Sequence, residues 1–322
     1  MTEVARSNAR GAAYSLAAFA VYSTHDVVVK LLGGSFAPFQ IIFFSVMFGF
    51  PIVMFMLIRD PSSGTLRPAH PWWMALRVVS AMITGICVFF AFSTLPMAQT
   101  YAILFAAPLL ITLLAIPILG EQVGWRRGLA VLMGLVGVLV VLQPGATELR
   151  LGHLAALIGA ISSALASVIV RKIGNDERSA VLIVYPMIAN FIVMGAILPF
   201  VYVPVEINHL GGFAAMALLG FCGALMQIWA YRTGSAVVVA PMQYSQIIWA
   251  SIFGALIFSE IPDWNTAMGA SIIIASGIYI VLREDSKAGT SKTPVLQTRS
   301  RVFTAGIIPR ISSIQRLRKT RS

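Results

Sequence analysis

Charge is scarce in this chain. Only 11% of its 322 residues are Asp, Glu, Lys or Arg and 58% are hydrophobic, whereas soluble domains carry ~25% charged residues. A water-soluble core cannot hide so much apolar side chain, so a soluble domain is excluded. The solvent is instead a bilayer, whose ~30 Å hydrocarbon layer takes roughly 20 residues of helix. Cysteine is nearly absent. Cys87 and Cys222 both fall inside apolar runs, which excludes a disulfide framework and leaves them as small apolar groups. There is no Gly-rich phosphate loop ending in Lys-Ser or Lys-Thr, no His-Glu-x-x-His, no Cys/His cluster with metal spacing and no Gly-x-Ser-x-Gly. These absences exclude an ATP-driven engine, a zinc site and a nucleophile-elbow hydrolase. The sequence therefore reads as a protein that is not an enzyme and needs no cofactor or metal.

What charge there is lies unevenly. The formal net charge is +11, but the residues from Arg283 onward hold ten Lys or Arg and two acids, +8 of that total. Basic residues beyond the last apolar run read as cytoplasmic retention and contact with anionic lipid, and no folded basic domain for nucleic acid lies behind them.

Ten apolar runs follow the polar start 1–10: 11–32, 37–58, 72–93, 97–119, 124–142, 151–170, 180–202, 212–231, 237–258 and 264–282. The predicted class is an all-α integral membrane protein of ten transmembrane helices. Glycines and small residues inside the runs, as in Gly152 to Ser167, GHLAALIGAISSALAS, point to close helix contacts. Lys and Arg in the short loops fix the orientation. Arg6, Arg10, Arg59, Arg67, Arg126, Arg127, Arg171, Lys172, Arg178, Arg232 and the tail fall on one side, against Lys30 and Arg150 on the other, placing both termini in the cytoplasm.

The chain also writes itself twice. Ala91 to Trp125 returns at an offset of 139 as Ala230 to Trp264, so that Phe92 meets Tyr231, Glu121 meets Glu260 and Trp125 meets Trp264. At an offset of 141, VKLLG from Val29 faces VRKIG from Val170, and Gly11 faces Gly152. The expected organisation is a cytoplasmic start 1–10, a first five-helix repeat 11–142, a second 151–282 and a basic, disordered cytoplasmic tail 283–322. Five is odd, so the second half enters the membrane from the opposite side and the repeats are inverted.

The doubled block with Glu121 and Glu260, the ten runs and the opening HDVVVKLLGGSFAPFQIIFF resemble the drug/metabolite transporter superfamily, specifically the EamA-type exporters and importers of the bacterial inner membrane. The resemblance spans Gly11 to Leu282. It implies two inverted five-helix repeats around a central cavity lined by the third, fourth, eighth and ninth helices. Members often carry an Arg on the second helix; here QIIFFSVMFGF offers Ser45, and within the superfamily the chain looks most like the proteobacterial riboflavin transporter group. The expected function is an inner-membrane secondary transporter of a small neutral metabolite by alternating access, with riboflavin uptake leading. Export of amino acids or toxic compounds is the alternative on this fold, and a membrane enzyme or scaffold the alternative outside it. The implied partners are a small-molecule substrate and the bilayer, with the chain a monomer or homodimer.

The candidate substrate residues are Gln99 and Tyr101 on the fourth run, Gln227, Trp229 and Tyr231 on the eighth, and Gln243, Tyr244, Gln246 and Trp249 on the ninth. A buried amide in hydrocarbon needs a partner, so each faces a wet cavity or bonds a neighbouring helix. With no carboxylate or ammonium evident among them, amides and rings suit a neutral planar molecule. His25 and Asp26 are candidates for proton coupling; the opposing reading pairs Asp26 with Lys30 four residues on, near the outer interface. Arg77 reads as an interface anchor, and Glu121 and Glu260 as caps of the helices that follow them.

Overall fold

The computed structural model describes residues 3–58, 66–121, 123–144, 150–174 and 176–285. Among these every regular element is helical: α1 Glu3–Gly33, α2 Pro38–Ile58, α3 Pro71–Thr94, α4 Met97–Leu104, α5 Ala107–Leu119, α6 Trp125–Leu142, α7 Leu151–Ile173, α8 Ser179–Val201, α9 Ile207–Thr233, α10 Ala236–Val239, α11 Ser245–Phe258 and α12 Trp264–Asp285. Eight stretches are long and apolar enough to cross a membrane, from Ser7–Gly33 to Ile207–Thr233, and a shorter apolar helix runs over Trp264–Ile280. The remaining crossing is discontinuous, α10 and α11 being joined through a 3₁₀ turn Ala240–Tyr244. The basic residues from 286 on, and Arg59, lie outside the described residues.

The packing is two-fold. α1 lies on α9 as α7 lies on α3, and α2 meets α9 as α8 meets α3. α4 and α5 lean on α7 as α10 and α11 lean on α1, while α6 with α12, α2 with α8, and α4 with α11 pair across the halves. Exchanging the halves reproduces this neighbour map. With five crossings in each half, the exchange also reverses direction through the membrane, so the fold is a pair of inverted five-helix repeats.

Two sequence matches acquire their reason here. A Cβ on Gly11 would fall 2.5 Å from Gly234 Cα, and one on Gly152 would fall 2.8 Å from Leu95 Cγ. Gly234 and Leu95 are themselves 139 apart, so each half begins by wedging a glycine under the turn after the other half's third helix. The small residues of α7 are buried too: Gly152, Ala156, Gly159, Ala160, Ser163, Ala164 and Ser167. Their spacing of three and four lays one smooth stripe against α3. Large side chains such as Phe55, Leu132, Ile192 and Leu256 remain exposed, the expected dress of a lipid-facing surface.

The fourth and ninth crossings break at equivalent places. α4 ends at Leu104, and Phe105 and Ala106 form a turn before α5; its counterpart ends at Tyr244, 139 residues after Phe105. These two rings meet edge to face at 5.2 Å, so the discontinuous helices cross on the pseudo-axis. Gly277 makes the crossing possible, because the Tyr244 hydroxyl occupies the space a Cβ there would need.

Candidate functional site

Beside this crossing lies a buried polar cluster. Asp26, fully buried in α1, stands seven residues before the helix end, roughly 10 Å along its axis at ~1.5 Å per residue. Its Oδ2 accepts from the Tyr101 hydroxyl, and its Oδ1 lies 2.7 Å from His25 Nδ1. Gln246 Nε2 reaches the Tyr101 oxygen at 3.4 Å, and buried Ser23 faces the same hydroxyl. Tyr101 is held in place by Phe92 and Phe105, with ring centroids at 5.2 and 5.9 Å. Three crossings thus contribute, α1, α4 and α11, the last two from the broken spans.

The sequence reading set Asp26 apart from the amide and aromatic group and offered Lys30 as its partner. The structure corrects both points. Lys30 is drawn away to Glu260, 2.7 Å from its Oε1, and to the Leu95 carbonyl at 2.5 Å. Asp26 joins Tyr101 and Gln246, so a carboxylate stands in the group that was read as lacking one.

The other expected residues divide. Tyr244 is at the helix crossing; Gln243 sits half-buried in the 3₁₀ turn before it, and Gln99 half-buried in α4. Trp249 packs with Ala18, Phe19, Tyr22, Met226 and Met242. Gln227 accepts from the Ser15 hydroxyl at 3.2 Å, and Ser15 precedes Asp26 by three helical turns, so this amide knits α9 to α1. Tyr231 is half-buried at the end of α9. Trp229 is 55% exposed and meets Tyr14 edge-on at 6.0 Å on the outer surface of the bundle.

The expected cap role of the two repeat-end glutamates is also revised. Glu260 Oε2 does accept a helix-terminal N–H, but it belongs to Met97 of α4 at 3.0 Å, in the other half. Glu121 pairs with Arg171 of α7. Both glutamates follow a left-handed residue, Gly120 with φ 70° and Ser259 with φ 55°, and their backbone N–H groups bond the carbonyls of Ala115 and Gly254, again 139 apart. Lys30–Glu260 and Arg171–Glu121 are therefore one ion pair made twice. The first closes the end of the bundle where α1 stops, and the second closes the end where it starts. Both offsets, 139 for the acids and 141 for the bases, were written in the sequence; that they cross between halves was not.

The Asp26–Tyr101 cluster is not duplicated. Ser167 and Ala240 occupy the places of Asp26 and Tyr101 in the second half. Symmetry thus separates what holds the two halves together from what occurs once. A groove of about 650 Å³ between α6 and α12, lined by Trp125, Leu129, Met133 and Tyr279 among others, lies on the flank and includes none of these polar residues.

Two inverted halves, paired ion clasps at opposite ends and a fully buried carboxylate, Asp26, beside broken helices fit a membrane carrier of the drug/metabolite type. The chain belongs to the EamA-like transporter family, which matches residues 9–143 and 150–283. It is 26% identical over 292 residues to the S-adenosylmethionine uptake transporter of Rickettsia bellii, covering 88% of this chain and 97% of that one. It is 23% identical over 267 residues to the pseudopaline exporter CntI of Pseudomonas aeruginosa, covering 82% and 93%. A solved crystal structure 16% identical in sequence superposes with a TM-score of 0.58, over 89% of this chain and 99% of that one, which speaks for the fold alone.

Proposed function

We propose that the protein is an inner-membrane uptake carrier, both termini cytoplasmic, for a small metabolite bearing a cationic centre, with S-adenosylmethionine as the leading substrate. The observation that carries this is the buried Asp26 held by Tyr101 and His25, with Gln246 behind the Tyr101 hydroxyl, at the break of two helices. A carboxylate withdrawn from water is costly unless paired, and an entering sulfonium or ammonium supplies a counter-ion that the hydroxyl and imidazole only approximate. Tyr101, Gln99, Gln243, Gln246 and Trp249 would then serve the neutral, planar part of the molecule by stacking and by amide hydrogen bonds.

The mechanism follows from the duplicated ion pairs. Lys30–Glu260 and Arg171–Glu121 act as clasps on the periplasmic and cytoplasmic ends. Both are closed here, with Asp26 sealed between them, which is the arrangement of an occluded carrier. Releasing the periplasmic clasp admits the substrate to Asp26; reclosing it and releasing the other lets the halves rock and discharges the substrate inward. Asp26 with His25 beside it is the group positioned to take a proton as the cation leaves.

Riboflavin remains the second reading, favoured by the amides and ring of Gln243, Gln246 and Trp249, which need no charged ligand. Purified full-length protein in liposomes decides between them. Saturable entry of labelled S-adenosylmethionine, unaffected by riboflavin, is expected. Saturable riboflavin entry with no entry of the sulfonium would overturn the cation reading, efflux alone from loaded vesicles would make the protein an exporter, and binding or conversion without flux would remove the carrier altogether.

A further inference from the structure

One charged group is not used by any of this. Arg77 lies six residues into α3, roughly 9 Å along the helix at ~1.5 Å per residue. The sequence suggested an anchor to headgroups, yet the lipid-facing stripe of α3 is formed by Trp72, Leu76, Val79 and Ile83, all exposed. Arg77 instead continues the opposite stripe, whose members Met74, Ser80, Thr84, Val88 and Ala91 are buried at spacings of three and four. Its Nε and Nη1 are buried and have no hydrogen-bond partner. Arg77 belongs to none of the ion pairs His25–Asp26, Lys30–Glu260, His70–Asp176 and Arg171–Glu121, and no described carboxylate neutralises it. Its counterpart 139 residues on is Met216. Like Asp26, this cation is found in one half only and is no part of the repeated scaffold.

A guanidinium presents five N–H donors in a planar fork matched to a carboxylate, and one left unpaired inside a membrane protein is retained against its own desolvation. We infer that Arg77 receives the carboxylate of the transported molecule, on the cytoplasmic side of Asp26. The inference rests on the carrier reading above and narrows its substrate to a zwitterion or amino-acid conjugate. The two charges are met in turn. Gly33 of α1 lies against Ser93 of α3, where a Cβ would stand 2.6 Å from the serine Cβ. Counting back seven residues to Asp26 and sixteen to Arg77 along parallel helices leaves them about 14 Å apart in height. The cationic centre is held first; the carboxylate is taken by Arg77 as the molecule moves inward.

The test compares labelled S-adenosylmethionine with its decarboxylated analogue, which keeps the sulfonium and adenine and lacks only the acid. Wild-type protein in liposomes is expected to carry the first roughly 10–100-fold faster, the range for a hydrogen-bonded charge, and Arg77→Gln to carry both at the slow rate. Arg77→Lys, which keeps the charge without the fork, is expected to retain part of the preference and serves if the Gln variant does not insert. In nanodiscs of phosphatidylcholine without ligand, Arg77→Gln is expected to melt above wild type, because an unpartnered buried charge has been removed. A preference unchanged in both variants, or a lower melting temperature, overturns the inference. Destabilisation seen only when phosphatidylglycerol is present assigns the guanidinium to a lipid headgroup and overturns it equally. If wild type carries neither compound, the cation-uptake reading fails by itself, and the melting comparison alone decides for or against Arg77.

Discussion

Lys30 and Glu260 stand 2.7 Å apart across the two halves, and the residues at their repeat positions, Arg171 and Glu121, form the same pair at the other end of the bundle. Each pair ties the first helix of one half to the end of the other half's broken span, so each must part for its end to open. Because both are only partly exposed, neutralising one member is worth on the order of 2 kcal/mol between open and closed states. Glu260→Gln is expected to open the end where α1 stops. Ser23→Cys in a background lacking Cys87 and Cys222 should then react faster with an impermeant thiol reagent added from that side. Unchanged reactivity would show that this pair does not gate.

Arg171→Met should do the opposite. Labelling of the same cysteine is expected to rise only from the side of the N-terminus, in inverted vesicles, and a double variant with Glu260→Gln should leak in both. If Arg171→Met and Glu260→Gln expose the same side, the two pairs are not alternating clasps.

Asp26→Asn should reduce uptake at least tenfold, since it removes the only carboxylate of the cluster, and should flatten whatever dependence uptake has on an imposed proton gradient. Tyr101→Phe deletes one charge-assisted hydrogen bond, about 1.5–3 kcal/mol, and is expected to lower uptake roughly tenfold with the protein still folded. Uptake by Asp26→Asn at the wild-type rate would remove the cluster from transport.

Gly277→Ala places a methyl where the Tyr244 hydroxyl lies. The ring must swing away and lose its contact with Phe105, at the 1–3 kcal/mol typical of overpacking. A fall in melting temperature of several degrees is expected, and Tyr244→Phe in the same chain should restore part of it, the ring Cζ still lying 2.7 Å from the new methyl. No change in either would mean that the crossing adapts freely.

The two tryptophans of the sequence reading should separate. Trp229→Ala, on the lipid-facing surface, is expected to transport normally, whereas Trp249→Ala, packed with Phe19, Tyr22 and Met242, should transport poorly at normal abundance. Equal loss in both would place the site elsewhere.

The membrane class and the inverted duplication were legible because hydropathy and the offset of 139 are properties of the chain itself. What packing decides was less so. The amides in question read alike in sequence; only the helix contacts put Gln246 against Tyr101 and Gln227 against Ser15. Lys30 had a local partner at helical spacing in Asp26, and spacing cannot reveal that Glu260, 230 residues away, competes for it. Arg77 next to Trp72 looked like an anchor until the register of α3 set it among Ser80 and Thr84. For Gln246, Gln227 and Lys30 the deciding partner is a contact between halves, which local periodicity does not contain.

The clasps come in two copies and the carboxylate proposed to receive the solute, Asp26, in one, set roughly 10 Å beneath the end at which α1 finishes. Such a carrier is two-sided in motion but one-sided in reach: a solute arriving from that end finds the anion early, while one from the opposite end must pass most of the bundle first. The half-saturating concentrations on the two faces should therefore differ, though without a coupled gradient the ratio of maximal rate to that concentration must be equal on both. On the uptake reading proposed above, the protein loads from one compartment and unloads into the other, and the asymmetry rests on two positions, Ser167 and Ala240, where the second half lacks the carboxylate and the hydroxyl of Asp26 and Tyr101.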